Sequence, residues 1–492
     1  MNPRLIVAAA NKDDIRLAVK YAREQKIALA VRTGGHQYSG ASSTAAPNIL
    51  LDLANTFTGP GDLVYLPKKT PDDGRSFVYT SVSHTLDQFN HFLGKNGLFV
   101  PHGQCSHVRL GGHVQTGGYG QLARSFGLFG DHVRTLEIID SEGNDVEVTK
   151  GSDPDLFWAI LGGSPGNFGV LTHITLEVHR NEDYDGAIGL KALFLYDKQQ
   201  LVRLVGKVAE MAEDPEWPRN YDLCVSVLSS SFPLGQLMWP GLDESIKHRV
   251  PSVYGDDKVL GWPKTIIVYA QWVPMTKGEK ADDKVMQWFQ NLKKGSNLIL
   301  SDGIMKKPMS ELTRKWLFMN VREFPLPYVK RTYLTNSTTL TKDHWPEWVS
   351  DRIDEVVGTW DNKLWLSCQI QCFGGKYSMF TRNADNGTAY SWRKDTTVVQ
   401  TLDCFHWSVK RDAALDWQKQ NDQTGIGRAG IFSKEDRRVL WGSYGDFDLD
   451  KVWKSYYEDE AKYRKLGEIR ARVDPDGIFT PNTFAVKRAS TT

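Results

Sequence analysis

Residues 101–120, PHGQCSHVRLGGHVQTGGYG, constrain this chain more than any other stretch. Five glycines fall between Gly103 and Gly118, so few side chains are left to build a core. Glycine lets backbone lie close to a ligand or take positive φ. The run therefore reads as backbone laid against a large flat or phosphorylated ligand, with Cys105 within reach of it and His107 and His113 following. A second glycine turn, VRTGGHQYSG at 31–40, carries His36. The sequence thus poses one question: do His36 and Cys105 serve one cofactor?

At 492 residues the chain is longer than one core usually organises, so two domains are expected. Its net charge of +1 gives no general pull toward nucleic acid or a membrane surface. No apolar run approaches the roughly 18 residues of a membrane span. The start, MNPRLIVAAANKDD, is too short and too soon charged for a signal peptide, so either the protein is not secreted or the numbering begins after a removed leader. The five cysteines form no C-x-x-C pair, and no metal-ligand pattern is present. Cys368 and Cys372, four apart in an expected strand, point to one face and read as packing residues. A disulfide among the cysteines other than Cys105 stays open. Gly425–Gly430 matches G-x-G-x-x-G, but it follows QKQNDQT, which is no strand, so the dinucleotide-binding context is missing.

In chain order, residues 4–7 read as a strand. Ile15, Ala18, Val19 and Ala22 then recur at helical spacing behind Asp13 and Asp14, where the helix dipole favours acids. Residues 28–31 form a strand that runs into the Thr33–His36 turn, and a turn at a strand end is where open α/β sheets bind ligands. Strands at 49–53 and 78–83 and a helix at 85–96 precede the opening stretch. Strands 133–139 and 145–148 flank Asp140-Ser-Glu-Gly143, a hairpin signal. A helix at 155–161 and a third glycine turn, 162–169, lead into a strand at 170–178. Beyond about 180 the texture changes. Strands at 187–196, 223–229, 266–273, 364–372 and 398–407 are separated by helical patterns at 199–212 and 281–294. The alternation in 364–372 predicts a half-buried antiparallel sheet. Fourteen of the sixteen Trp lie between Trp217 and Trp441, either filling a core or lining a groove that stacks on sugar or aromatic rings. One long helix is expected over about 450–472, stopped by the Pro and Gly of Val473-Asp-Pro-Asp-Gly477.

Taken together, RTGGHQYSG (32–40), GQCSHVRLGGHVQTGGYGQLARSFGL (103–128), DLFWAILGGSPGNFGVLT (155–172), YGDFD (444–448) and VDPDGIFTPNTF (473–484) resemble the berberine-bridge-enzyme-like branch of the vanillyl-alcohol-oxidase flavoproteins. The chain looks closest to the hexose and oligosaccharide oxidases of that branch. The resemblance implies a two-domain α+β protein with a PCMH-type FAD-binding fold. A flavin domain at 1–180, a substrate domain at 181–435 with an antiparallel sheet, and a tail at 436–492 returning to the flavin domain are expected. It implies FAD bound twice, through His36 to the 8α methyl and through Cys105 to C6. Covalent substituents tune the ring's electronics. Arg32, Thr33, Gly34, Gly35, Gln37, Tyr38, Ser39 and Gly40 would cradle the pyrophosphate with backbone amides. Ser106, Gly111, Gly112, Gly117 and Gly118 would pass close to the flavin, and His113 would sit near its ribityl and pyrimidine edge. Gly166, Gly169 and Val170 would line the adenine side, and Asn482 would reach the isoalloxazine. Val108 falls where the family controls dioxygen access and resembles the oxidase form.

For the base, the family's Y-x-N-Y-x-D becomes Trp441-Gly-Ser-Tyr444-Gly-Asp446, which keeps Tyr444 but changes the first Tyr and the Asn. Asp403 is the second candidate. A phenol of pKa about 10 needs help near neutral pH, and an adjacent carboxylate would supply it. Gln369 and Gln371 are further groove candidates. The expected reaction is oxidation of an alcohol carbon, the anomeric hydroxyl of a mono- or oligosaccharide, with O2 reduced to H2O2. An oxidase of an aromatic or alkaloid metabolite, a flavin dehydrogenase with another acceptor, and a flavin-binding module without its base stay open. No nucleic acid or membrane partner is expected, and the chain reads as a monomer. Sequons at Asn336 and Asn386 and the resemblance point to a secreted protein.

Overall fold

The computed structural model describes residues 2–38, 40–66, 74–229, 264–317, 327–358, 364–423 and 448–489. Tyr444, Ser39 and the Gly425–Gly430 run lie outside the described residues.

Local sequence signals position the first elements. The helix Lys12–Gln25 buries Ile15, Ala18, Val19 and Ala22, and the Asn11 side chain accepts from the Asp13 and Asp14 N–H groups. It packs against a three-stranded parallel sheet with the order Leu5–Ala8, Ile49–Asp52, Leu29–Arg32. Thr85 caps the helix Leu86–Lys95 through a capping box with Gln88. A second, antiparallel sheet runs Leu63–Leu66, Ser76–Ser81, Val170–Arg180, Val133–Ile139, Asp145–Thr149, with Leu98–Phe99 paired to Val170–Arg180. The expected hairpin joins Val133–Ile139 to Asp145–Thr149.

The third sheet is antiparallel and eight-stranded. Its order is Leu298–Ser301, Ile188–Leu195, Thr265–Trp272, Tyr221–Leu228, Leu364–Cys372, Val398–His406, Tyr328–Thr335, and Met305–Lys306 pairs with Ile188–Leu195. One face carries Val225, Val268, Leu366, Cys368, Ile370 and Leu402 into a core shared with the helices Lys198–Glu213, Asp283–Lys293 and Trp345–Val357. The other large core draws on residues 9–178 and on the C-terminal 449–486, together with Leu317, Leu334, Phe373, Phe380, Ala389, Tyr390 and Val399.

Several expectations are corrected. Leu364–Cys372 is buried on both faces rather than half-buried, because its polar side lies against the other core and a cleft instead of bulk solvent. The expected helix over 450–472 is two, Leu449–Tyr456 and Glu460–Val473. Tyr457 is extended between them, and the Asp459 carboxylate accepts from the Lys462 N–H to start a new helix, while Tyr456 and Tyr457 both enter the core. The glycine stretch is not all loop: Leu110–Gln115 is a short helix. The strand Tyr328–Thr335 and the helix Met309–Trp316 had no clear sequence signal. Cys224, Cys368, Cys372 and Cys404 are unbridged thiols, and Cys368 and Cys372 pack in the core as expected. No helix among the described residues is long and apolar enough to cross a membrane.

Candidate functional site

The sequence motifs converge. Asn482 Nδ2 donates to the carbonyls of Gly40 (3.1 Å), Ala41 (3.2 Å) and Ser43 (2.7 Å), tying the C-terminal turn to the His36 turn. Asn167 Nδ2 donates to Phe479 O at 3.0 Å, and Ser164 Oγ donates to Phe484 O at 2.6 Å, so the third glycine turn grips the same tail. The buried Arg470 pairs with Asp474 at 2.9 Å beneath them and reaches Asn167 O. A tail more than 300 residues away in sequence thereby closes the first lobe.

Between this assembly and the polar face of the eight-stranded sheet lies a cleft with an empty volume of about 1280 Å³, part of it open to solvent. The first glycine turn contributes Thr33, Gly34, Gly35, His36 and Gln37. Gly35 holds φ +64°, a region a side-chain-bearing residue enters at a cost, and His36 follows it on the exposed side. The second stretch contributes Gly103, Gln104, Cys105, Val108, Gly111, Gly112, His113 and Gly118. Cys105 sits in a turn closed by the Val108 N–H on its carbonyl at 3.1 Å. It is the half-exposed cysteine. Burial pushes the Cys224 thiol up to about 12 and raises Cys368 and Cys372 as well, which leaves those thiols protonated and inert.

Gly111 explains how the two turns meet. A Cβ there would stand 2.9 Å from Thr33 Cγ2 and 3.1 Å from Val82 Cβ, so only glycine lets the helix Leu110–Gln115 lie against the first turn. His113 Nε2 accepts the Gly103 N–H at 3.2 Å, and burial holds its pKa down to about 3, so it is a neutral ring with its proton on Nδ1.

Other expected residues stand elsewhere. Arg32 pairs with Asp52 at 2.6 Å across the parallel sheet and anchors the turn from outside the cleft. Tyr38 Oη donates to Tyr328 O at 3.0 Å and accepts from the Lys330 N–H at 3.3 Å, its ring stacked on Tyr328, so it clamps the turn to the sheet. Gly40 receives Asn482. Asn482 therefore holds the turn and is not among the residues that line the cleft. Ser106 is buried with Oγ 2.9 Å from His107 Nδ1. Gly117 packs on Leu128 and Tyr390. Gly169 packs on Ile138, and Val170 enters the core. Of the expected adenine side, only Gly166 lines the cleft, its N–H donating to Gln115 Oε1 at 2.9 Å.

The sheet supplies the opposite wall. Ser367, Gln369 and Gln371 alternate along one strand and Thr401 and Asp403 along the next, all on the cleft face. Lys330, missed by sequence reading, is Asp403's in-register neighbour and pairs with it at 2.9 Å. Gln369 Nε2 donates to Gln104 Oε1 and bridges the two walls. Among the described residues Trp316 is the tryptophan that lines the cleft, whereas Trp272, Trp345 and Trp417 fill the core. Neither Gln104 nor Trp316 carried a distinguishing sequence signal.

The lining fits a polar dinucleotide with a substrate beside it. Gln37 Oε1, Gln104 Nε2 and Asp403 Oδ1 are buried and have no hydrogen-bond partner among the described residues. Each such group costs about 1–3 kcal/mol unless a ligand or water serves it. Gly34, Gly35 and Gly166 present bare backbone to the same space.

Known proteins share sequence and fold with this chain. The FAD binding domain family matches residues 3–149. Berberine bridge enzyme-like 12 of Arabidopsis thaliana is 35% identical over 497 residues, covering 97% of this chain and 83% of that one. The FAD-linked oxidoreductase YvdP of Bacillus subtilis (strain 168) is 32% identical over 178 residues, 36% of this chain and 38% of that protein's length. Among solved structures, a glucooligosaccharide oxidase from Acremonium strictum with a 6-S-cysteinyl, 8α-N1-histidyl FAD superposes with a TM-score of 0.70 at 16% identity, covering 99% of this chain and 92% of that one. That likeness shows the fold: α+β, with a PCMH-type FAD-binding unit.

Proposed function

The chain belongs to the berberine bridge enzyme-like family of FAD-dependent oxidoreductases, and from that premise we propose that it oxidises a polyhydroxylated alcohol, the anomeric hydroxyl of a mono- or oligosaccharide, and passes the electrons to O2 as H2O2. The observation that carries the sugar reading is the sheet wall. Ser367, Gln369, Gln371, Thr401, Asp403 and Lys330 present hydroxyls, amides and a charge pair where an aromatic or alkaloid substrate would call for apolar surface.

In this reading His36 and Cys105, on facing turns of the cleft, hold the flavin covalently, and Val108 leaves the ring open to dioxygen. FAD supplies the two-electron acceptor for the hydride leaving the carbinol carbon. The chain's own groups do the rest. Tyr444 takes the hydroxyl proton, and Asp403 stands by as the carboxylate that orients the substrate and assists that transfer. His113, neutral and fixed by Gly103, donates from Nδ1 without adding charge beside the cofactor. The division of labour is a flavin domain over 1–180 with the tail 436–492, and a substrate domain over 181–435. The two larger cores, which follow this division except for residues such as Phe380 and Tyr390 in the first, support it. Secretion fits the same reading. Of the two sequons, Asn336 is exposed, while the Asn386 amide donates to the buried Asp131 at 2.8 Å and is a poor glycan acceptor.

A panel of mono- and oligosaccharides assayed for peroxide tests the reaction, and release with at least one sugar is expected. Turnover of none of them, with turnover of an aromatic alcohol, would sink the sugar reading. Acid precipitation tests the tethers. The wild-type, His36→Ala and Cys105→Ala pellets should stay yellow and the double variant's pellet should be colourless. A colourless wild-type pellet refutes both bonds.

A further inference from the structure

Lys330 lies on Tyr328–Thr335, the last strand of the eight-stranded sheet among the described residues. Its register puts it directly opposite Asp403, with Nζ 2.9 Å from Oδ2. The two residues are 9% and 5% exposed, and both line the cleft. The other carboxylate oxygen, Asp403 Oδ1, is buried without a hydrogen-bond partner among the described residues. A carboxylate with one oxygen held by a cation and the other bare is half of a hydrogen-bonded site, and the missing half is a donor. Ser367 flanks Asp403 on its other side, on the next strand. The Lys330 backbone is itself fixed, because its N–H donates to the Tyr38 hydroxyl, two residues from His36. The pair is thus registered to the first glycine turn. Stability alone does not account for it, since a buried ion pair is often no better than apolar residues of the same volume.

We propose that Lys330 is a positioning residue for the oxidation: it holds the Asp403 carboxylate so that Oδ1 accepts a hydrogen bond from a substrate hydroxyl and orients the carbon to be oxidised. The proposal rests on the alcohol-oxidase reading above. Without Lys330 the carboxylate would be buried with its cation removed, and it would turn away or take up water. Either removes the acceptor.

The test is anaerobic stopped-flow flavin reduction in Lys330→Met, Lys330→Arg and Asp403→Asn, with every rate expressed per bound flavin so that poorly loaded protein does not count. Lys330→Met should lower the limiting rate divided by the apparent substrate dissociation constant by about 10- to 100-fold, the loss of a charge-assisted hydrogen bond. Lys330→Arg should recover most of it. A merely structural pair would lower flavin content and leave the per-flavin values in place. Per-flavin values for Lys330→Met within about twofold of wild type, or Lys330→Arg as impaired as Lys330→Met, overturn the proposal. If Lys330→Met does not fold, the Lys330→Met/Asp403→Asn double variant removes both charges. It should fold and be as slow as Asp403→Asn, and a fast double variant also overturns the proposal. If the wild type reduces its flavin with another alcohol and no sugar, the sugar reading falls, and the same comparison on that alcohol still decides the role of Lys330.

Discussion

Replacing Arg124 with Met should separate the two walls of the cleft. Arg124 sits on the short helix Ala123–Phe126 with 0% exposure. Its Nε donates to Gly374 O at 3.1 Å, Nη1 to Pro218 O at 2.9 Å and Tyr221 O at 3.0 Å, and Nη2 to Trp217 O at 3.2 Å. One guanidinium thus binds four carbonyls from two segments that lead into or out of the eight-stranded sheet, which only the rigid five-donor fork of arginine can do. Met fills the space but donates nothing. At a net of about 1 kcal/mol per lost bond, the usual figure for a neutral pair and below the range for a charged donor, the cost is at least about 4 kcal/mol. Native stabilities are about 5–15 kcal/mol, so this is a large share. With roughly 2–4 °C per kcal/mol for lobes of this size, the melting temperature should fall by roughly 8–16 °C. Scanning calorimetry should resolve two transitions where the wild type shows one. Hydrogen exchange should quicken at the amides of Trp217–Asp222, and flavin reduction should slow because the Asp403 wall no longer holds its place. Arg124→Lys should lose at least half as much, as one ammonium does not span four carbonyls. A melting shift under about 3 °C with unchanged exchange at Trp217–Asp222 would refute the reasoning.

Two further outcomes follow from the same geometry. Gly111→Ala gains about 1 kcal/mol of helix propensity but places a methyl 2.9 Å from Thr33 Cγ2, and overpacking costs about 1–3 kcal/mol, so the contact wins. Lower thermal stability and lower flavin content are expected in calorimetry and absorbance, and a variant as stable and as yellow as wild type contradicts the packing argument. Burial pushes the Asp222 carboxyl up to about 7, above its unfolded value near 4. The folded state therefore keeps a proton that the unfolded chain releases. The associated stability is present below about pH 4 and is lost as pH rises toward 7. Asp222→Asn keeps the oxygen that accepts the Arg124 N–H at 3.0 Å and removes the titration, so its melting temperature should gain on wild type between pH 5 and 8. The opposite trend rejects the assignment.

What the sequence determined by itself was local. The buried stripe of Lys12–Gln25 with its acidic start at Asp13 and Asp14, the hairpin at 140–143 and the glycine turns carrying His36 and Cys105 were all legible. Spacing of 3.6 or 2 residues, an acidic first turn or one glycine suffices to encode such features. The tertiary structure decided what depends on partners far along the chain. It paired Lys330 with Asp403, 73 residues apart, through strand register. It bent the C-terminal helix at Tyr457 because two adjacent tyrosines had to enter one core. It gave Asn482 three carbonyls of the first glycine turn to hold, and it used Gly111 to bring that turn against the second. A sequence specifies which side chains one strand face presents. Which face meets which across a cleft follows from the packing of two cores, and that is where the chemistry of this wall was set.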